Sequence, residues 1–362
     1  MVTPANSTQT RHLLDCDTQP GKLVRELEND SLICTACGHL CKLKSGQRGI
    51  CKVRYNDQGI LRVPFNYVAG LQNDPIEKKP FFHALPGSRA MSFGMLGCDF
   101  RCAYCQNWFT SQTLRDDLST QESTHMTAKD ICELAQRNDA RTIVSTYNEP
   151  LITSEWAVEV FQEARKRGIR TAFVSNGHGT PEVIEYISPW IDFYKIDLKT
   201  FSDKNYRKLG GNLTAVLDTV GRVFSAGMWT EIVTLVIPDY NDSDKELTNI
   251  AEFIASISLD IPWHVTAFHP DYKMQDRGRT PVTTLLRARE HGKQAGLKFV
   301  YSGNVPGQAE NAENTYCPEC DKALVTRIGF RIRNNYLQDG CCPKCREPIA
   351  GRWSEDGISP NL

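Results

Sequence analysis

Between about Ala90 and Ser302 the chain alternates short β-branched or aromatic runs with segments of helical period, and this alternation leaves few architectures open. Candidate strands are Met91–Leu96, Thr142–Thr146, Thr171–Ser175, Phe193–Leu198, Glu231–Ile237, Val265–Phe268 and Lys298–Ser302. Between them lie candidate helices Ala128–Arg137, Ser154–Lys166, Pro181–Ile187, Leu213–Ala226, Lys245–Ile257 and Thr283–Ala295. Ser154 and Ser243 read as helix N-caps, and Gly168 and Gly296 stand where C-terminal caps are expected. Strands separated by helices of this length pair in parallel, so the expectation is an α/β fold with a parallel sheet. A full eight-stranded barrel would need more chain.

Polar residues that a core does not explain recur at the strand ends. Cys98, Cys102 and Cys105 follow the first strand, Tyr147-Asn148-Glu149 the second and Asn176-Gly177-His178 the third. Asp197 and Lys199 close the fourth, His269 follows the sixth and Ser302-Gly303-Asn304 the last. In parallel β/α barrels the active-site groups gather at the C-terminal ends of the strands. One such group is ordinary loop chemistry; a repeat at nearly every strand end points to a site.

Cys98-Asp-Phe-Arg-Cys102-Ala-Tyr-Cys105 carries the chemistry. An iron–sulfur cube is normally held by four thiolates. A loop that supplies three leaves one iron open to a further ligand. Zinc knuckles favour paired C-x2-C units, which this triplet is not.

The chain has 14 cysteines among 362 residues and a net charge of −1. The first ten residues lack the charged-then-apolar build of a signal peptide, and no apolar run approaches the ~20 residues that span a bilayer. A cytoplasmic location follows, where metal explains cysteines better than disulfides do. Near-neutral charge gives no case for a dedicated nucleic-acid or membrane-surface protein. Cys317, Cys320, Cys342 and Cys345 form two C-x2-C turns, the paired-knuckle pattern of a closed zinc site; Cys341 breaks that spacing where Cys342 keeps it. Seven basic against four acidic residues from Cys317 to Arg352 leave a charge of +3, too small for nucleic-acid binding. Cys34, Cys37, Cys41 and Cys51 suit zinc or an auxiliary cluster; zinc is preferred, with His39 a neighbour.

Gly97-Cys-Asp-Phe-Arg-Cys-Ala-Tyr-Cys-Gln-Asn-Trp108 resembles the cysteine loop of radical S-adenosylmethionine (SAM) enzymes. Pro75-Ile-Glu-Lys-Lys-Pro80, Leu85-Pro-Gly-Ser88, Cys105-Gln-Asn-Trp108 and Thr146-Tyr-Asn-Glu-Pro150 narrow the likeness. They are similar to the AmmeMemoRadiSam-system radical SAM enzymes, relatives of the pyruvate formate-lyase activating enzyme. The likeness runs from about Cys34 to Trp353. It implies a partial parallel (β/α)6 barrel over 87–304, a cysteine-rich extension over 1–86 and a zinc-ribbon-like segment over 305–362.

The resemblance further implies that a [4Fe-4S] cluster on Cys98, Cys102 and Cys105 reductively cleaves SAM to a 5′-deoxyadenosyl radical, which abstracts hydrogen from a small molecule or a partner protein. Glu149 would accept from the SAM amino group, Ser175 and Asn176 would reach its polar groups, and Lys199, oriented by Asp197, would pair with its carboxylate. His269 would lie near SAM, and Tyr104 would cover the cluster or the adenine. Relatives often carry an acidic residue where this chain has Val174, which puts a monovalent cation site there in doubt. Residues 75–80 would line the mouth of the site. Memo-family and AmmeMemoRadiSam-A proteins are implied partners, with flavodoxin or ferredoxin as electron donor. Two other readings are a glycyl-radical-enzyme activase and a zinc-ribbon binding module with a degenerate barrel.

Overall fold

A computed structural model describes residues 14–119, 121–309 and 311–354. The N-terminal dozen residues, read above as lacking an export signal, lie outside them. The central sheet has eight strands in unbroken sequential order. They are β1 Gly70–Pro75, β2 Arg89–Gly94, β3 Ala140–Ser145, β4 Arg170–Ser175, β5 Phe193–Asp197, β6 Trp229–Val236, β7 Trp263–Ala267 and β8 Val300–Gly303. Strands β2 to β8 pair in parallel, and β1 pairs antiparallel with β2.

The crossovers carry α1 Ala128–Arg137, α2 Ser154–Arg165, α3 Pro181–Ile187, α4 Asp203–Leu209, α5 Leu213–Ser225, α6 Asp244–Ile257 and α7 Val282–Gln294. Their caps are sequence-encoded. Thr127 and Asp130 form a capping box on α1, and Thr180, Ser202, Asn212 and Ser243 each accept a backbone N–H at a helix start. Gly168 and Gly296 adopt φ of +69° and +91° just past α2 and α7, which lets the chain turn back. Ser154 is a correction. It is the first residue of α2 rather than its cap, because a short 3-10 turn, Pro150–Thr153, precedes it and its Oγ donates to Leu151 O at 2.9 Å.

A second correction concerns residues 75–80. Since β1 runs antiparallel, with Pro75 opposite Arg89 at the start of β2, the chain leaves it at the end of the sheet remote from the cysteine loop. There Ile76, Phe81, Ala84 and Leu85 pack on Ala90, Val144, Ala172, Phe193 and Trp229 and plug the N-terminal ends of the parallel strands. Of the segment's charged residues Glu77 and Lys79 are buried, Lys79 Nζ 2.9 Å from Asp74 Oδ2 and 3.3 Å from Tyr147 Oη.

Two small three-stranded sheets precede the main one, and their buried residues Leu32, Leu43, Leu61 and Val63 share a continuous core with the helices. After β8, strands Thr315–Tyr316, Ala323–Ile328 and Arg331–Asn335 form an antiparallel sheet. It docks by Leu324 and Ile349 on Phe82, Phe299 and Tyr301. Among the described residues no helix is long and apolar enough to cross a membrane.

Candidate active site

The cysteine loop begins at a backbone position only glycine fills easily. Gly97 has φ +89°, and a Cβ there would stand 2.9 Å from Cys51 O and 2.8 Å from Val53 Cγ1. The N-terminal segment thus presses directly on the start of the loop. Phe100 N donates to Cys98 Sγ at 3.3 Å, and Cys105 Sγ lies 3.2 Å from Ser111 Oγ. Burial pushes the Cys98 thiol well above its usual range, with the carboxylates of Asp99 and Glu149 adding to it. Burial likewise lifts Cys102 to about 12, although the Lys199 ammonium works against that rise. Buried thiols become thiolates when a cation brings compensating charge, so this donor set fits iron held by soft sulfur ligands.

At the ends of β3 and β4 the carboxylate of Glu149 accepts from Ser175 Oγ at 2.6 Å, Asn176 N at 2.7 Å and Leu151 N at 3.0 Å. Burial, then the charge of Asp99, raises its carboxyl to about 8. The three residues read from sequence therefore stand together, and much of Glu149's accepting capacity is spent within the protein.

Asn176 also donates from Nδ2 to Asp99 Oδ1 at 2.7 Å, and His178 donates from Nδ1 to Asp99 Oδ2 at 3.0 Å. Asn212 Nδ2 reaches His178 Nε2 at 3.1 Å, which leaves that nitrogen as the acceptor and fixes the proton on Nδ1. Asp99 is 1% exposed. Burial opposes its charge, but the hydrogen bond from His178 holds its carboxyl below the usual range. Sequence reasoning missed Asp99 and gave His178 no role. The available signal was Asp99's place inside the cysteine loop.

At the end of β5, Asp197 is held between two lysines. Lys199 Nζ is 3.1 Å from Oδ2, and Lys195 Nζ pairs with Oδ1. Burial would raise Asp197, yet the two ammonium groups bring it down to about 2. Burial also works against the charge of Lys199, and Asp197 and the nearby Cys102 outweigh it and raise its pKa. Lys195 was not foreseen; it lies two residues before Asp197 and so on the same face of the strand.

His269 follows β7, and its Nε2 accepts from Gln106 Nε2 at 2.9 Å while Nδ1 donates to Pro270 O at 3.2 Å. The next turn clasps the cysteine loop through Lys273 N to Ala103 O at 2.9 Å. Tyr104 is buried, edge-on to Tyr240 with ring centroids 6.0 Å apart. Cys317, Cys320, Cys342 and Cys345 converge far along the chain, with Sγ separations of 3.4 Å for Cys317–Cys345 and 3.7 Å for Cys320–Cys342.

A parallel sheet with a three-thiol loop at the C-terminal end of one strand defines the class. Residues 94–251 match the family model described as Radical SAM superfamily. The chain is 36% identical over 328 residues to "Uncharacterized protein MJ0808" of Methanocaldococcus jannaschii, covering 90% of this chain and 96% of that one. It is 23% identical over 209 residues to the pyruvate formate-lyase-activating enzyme of Clostridium pasteurianum, covering 53% of this chain and 84% of that one. Streptococcus suis SuiB bound to S-adenosylmethionine aligns at a TM-score of 0.47 and 15% identity, covering 67% of this chain and 56% of that one. The chain is an enzyme with a radical SAM domain and is homologous to the pyruvate formate-lyase-activating enzymes. A radical SAM domain implies a [4Fe-4S] cluster and SAM.

Proposed function

We propose that this enzyme binds SAM at a cluster on Cys98, Cys102 and Cys105 and uses it to abstract hydrogen from a substrate. The observation that carries this reading is the three-thiol loop ringed by Glu149, Asn176, Lys199 and His269, each brought to it by a different strand end. When bound, the cluster supplies the electron that splits SAM into methionine and a 5′-deoxyadenosyl radical. Around it, the Lys199 ammonium offers a donor to a carboxylate, with Asp197 holding its direction. The remaining lone pair of Glu149 Oε2 offers an acceptor to an ammonium. Ser175 and Asn176 fix that carboxylate in place, and Gln106 holds the His269 ring. Tyr104 and Tyr240 wall the loop and exclude water.

The partial (β/α)6 barrel with 305–362 as appendage is supported by the six crossovers that join the seven parallel strands, and the extension over 1–86 lends that sheet one strand, Gly70–Pro75. A structural zinc at the C-terminal quartet is supported by its spacing, since a Zn–S bond of ~2.3 Å gives tetrahedral edges of about 3.8 Å. The AmmeMemoRadiSam assignment, with Memo-family and AmmeMemoRadiSam-A partners, is supported by the sequence motifs. A glycyl-radical-enzyme activase is the second reading, favoured by relatives named as activating enzymes. A degenerate binding module is disfavoured by the complete cysteine triplet.

The test is anaerobic reduction with SAM, reading 5′-deoxyadenosine by chromatography. Product from the native chain and none from Cys98→Ala is expected; absence from cluster-loaded native protein overturns the reading. Stimulation by a purified glycyl-radical enzyme, with a glycyl radical appearing on it, would favour the activase.

A further inference from the structure

The N-terminal cysteines are built differently from the C-terminal set. Among the described residues, the sulfurs of Cys317, Cys320, Cys342 and Cys345 lie within 4.8 Å of one another, whereas those of Cys34, Cys37, Cys41 and Cys51 do not form such a group. One zinc ion draws its four sulfurs to about 3.8 Å. A polynuclear cluster places its thiolates on separate metal corners and so holds them farther apart. Cys98, Cys102 and Cys105 are likewise not drawn into a 4.8 Å group.

The four N-terminal sulfurs are nonetheless prepared as one ligand set. Two of them accept N–H bonds, Cys34 from Arg54 Nε at 3.2 Å and Cys41 from Ile50 N at 3.5 Å. Cys98 receives the same kind of bond from Phe100 N, two residues on. Cys34, Cys37 and Cys51 are 6%, 5% and 4% exposed. Arg54 is itself buried, its Nε turned to Cys34 while Nη1 and Nη2 pair with the Glu155 carboxylate. Buried N–H donors and a buried guanidinium suit sulfurs that carry negative charge.

A rival site is Cys37 with Asp99 and His178, whose candidate ligand atoms lie within 4.8 Å of one another. Its donors are already committed, both Asp99 oxygens to Asn176 and His178 and both His178 nitrogens to Asp99 and Asn212. That group is a hydrogen-bond network rather than an open cage.

We infer that Cys34, Cys37, Cys41 and Cys51 hold a second iron–sulfur cluster, not the zinc preferred from sequence. It lies against the active-site loop. Gly38 N donates to His178 O at 2.8 Å, His39 Nε2 meets Asp99 O at 3.3 Å, and Cys98 Sγ stands 3.7 Å from Asp99 Oδ1 on the other side. The inference deepens the radical SAM reading and rests on it only for the assignment of the first cluster.

The test is metal and sulfide analysis of anaerobically reconstituted full-length protein, with Mössbauer spectra. Native protein should carry iron in excess of about four atoms per chain, with matching sulfide, and one zinc. Cys98→Ala/Cys102→Ala/Cys105→Ala should keep the second cluster, and its spectrum should persist alone. Cys34→Ser/Cys51→Ser should keep only the first. Because the triple variant leaves the N-terminal set untouched, it decides the matter even if the double variant fails to fold. A triple variant holding two zinc ions and no iron overturns the inference. Iron lost from the native active-site loop while the N-terminal cluster remains would instead sink the reading of Cys98, Cys102 and Cys105.

Discussion

Asn176 Nδ2 donates to Asp99 Oδ1 at 2.7 Å, tying the end of β4 to the residue that follows the first cysteine of the active-site loop. Asn176→Ala leaves a buried carboxylate oxygen without that donor, at a cost of about 1–3 kcal/mol. A urea midpoint lowered accordingly is expected, with iron retained less well on gel filtration; an unchanged midpoint would deny the bond any role.

A buried ion pair locks the N-terminal segment to helix α2. Arg54 Nη1 and Nη2 meet Glu155 Oε2 and Oε1 at 2.7 and 2.8 Å, with side chains 1% and 5% exposed. Glu155→Ala strands a buried guanidinium, and a loss of about 3–5 kcal/mol is expected. Equilibrium denaturation measures it, and Arg54→Met/Glu155→Leu should recover much of the loss.

Lys199→Met removes the ammonium proposed to meet the SAM carboxylate. A charged hydrogen bond contributes about 1.5–3 kcal/mol, so SAM affinity should fall roughly ten- to a hundredfold. Equilibrium dialysis of cluster-loaded protein reads the change, with the exposed Lys204→Met as control.

His83 gives the fold a pH dependence. Its Nδ1 donates to Ala350 O at 2.7 Å, so Nε2 accepts from Tyr301 Oη at 2.5 Å and the ring is neutral. Burial, opposed by the charge of Glu231, lowers its pKa from 6.5 to about 4. Arg327 and His264 also face it and disfavour its protonation. Below the unfolded value the unfolded chain takes up a proton that the folded one refuses, so this contribution is full above pH 6.5 and is lost as pH falls toward about 4. Between pH 7 and pH 5 the loss is about 2 kcal/mol. Trp353, whose ring lies 4.8 Å from His83, reports it by fluorescence, and His83→Gln should flatten the slope.

Cys320→Ala should release one zinc ion per chain and free the segment after β8, because metal binding of this kind is coupled to local folding. Limited proteolysis should then cut between residues 315 and 354 while the barrel persists. Unchanged zinc content would refute the C-terminal site.

Much of the parallel sheet and its helices was legible because each element carries its own signal. The seven parallel strands and six of the crossover helices appear within a few residues of their expected places, since β-branched runs and cap residues act locally. The misses share a cause. The antiparallel strand β1, with Gln72, Asn73 and Asp74 in its middle, has no strand-like composition and exists through pairing with β2. Helix α4 hides in the polar stretch Asp203–Leu209. The Pro75–Pro80 segment was given the wrong end of the barrel because strand direction is not written in a charge run.

By itself the sequence determined the cysteine spacings, the βα alternation and the polar residues closing each strand, all of them properties of neighbours along the chain. The tertiary structure alone decided that Asp99 is gripped by Asn176 and His178 and that Cys37 reaches the active-site loop. Asp99 and His178 are 79 positions apart and Cys37 and His178 farther still, and only assembling the sheet and docking the N-terminal segment brings such groups into one buried, weakly screened space.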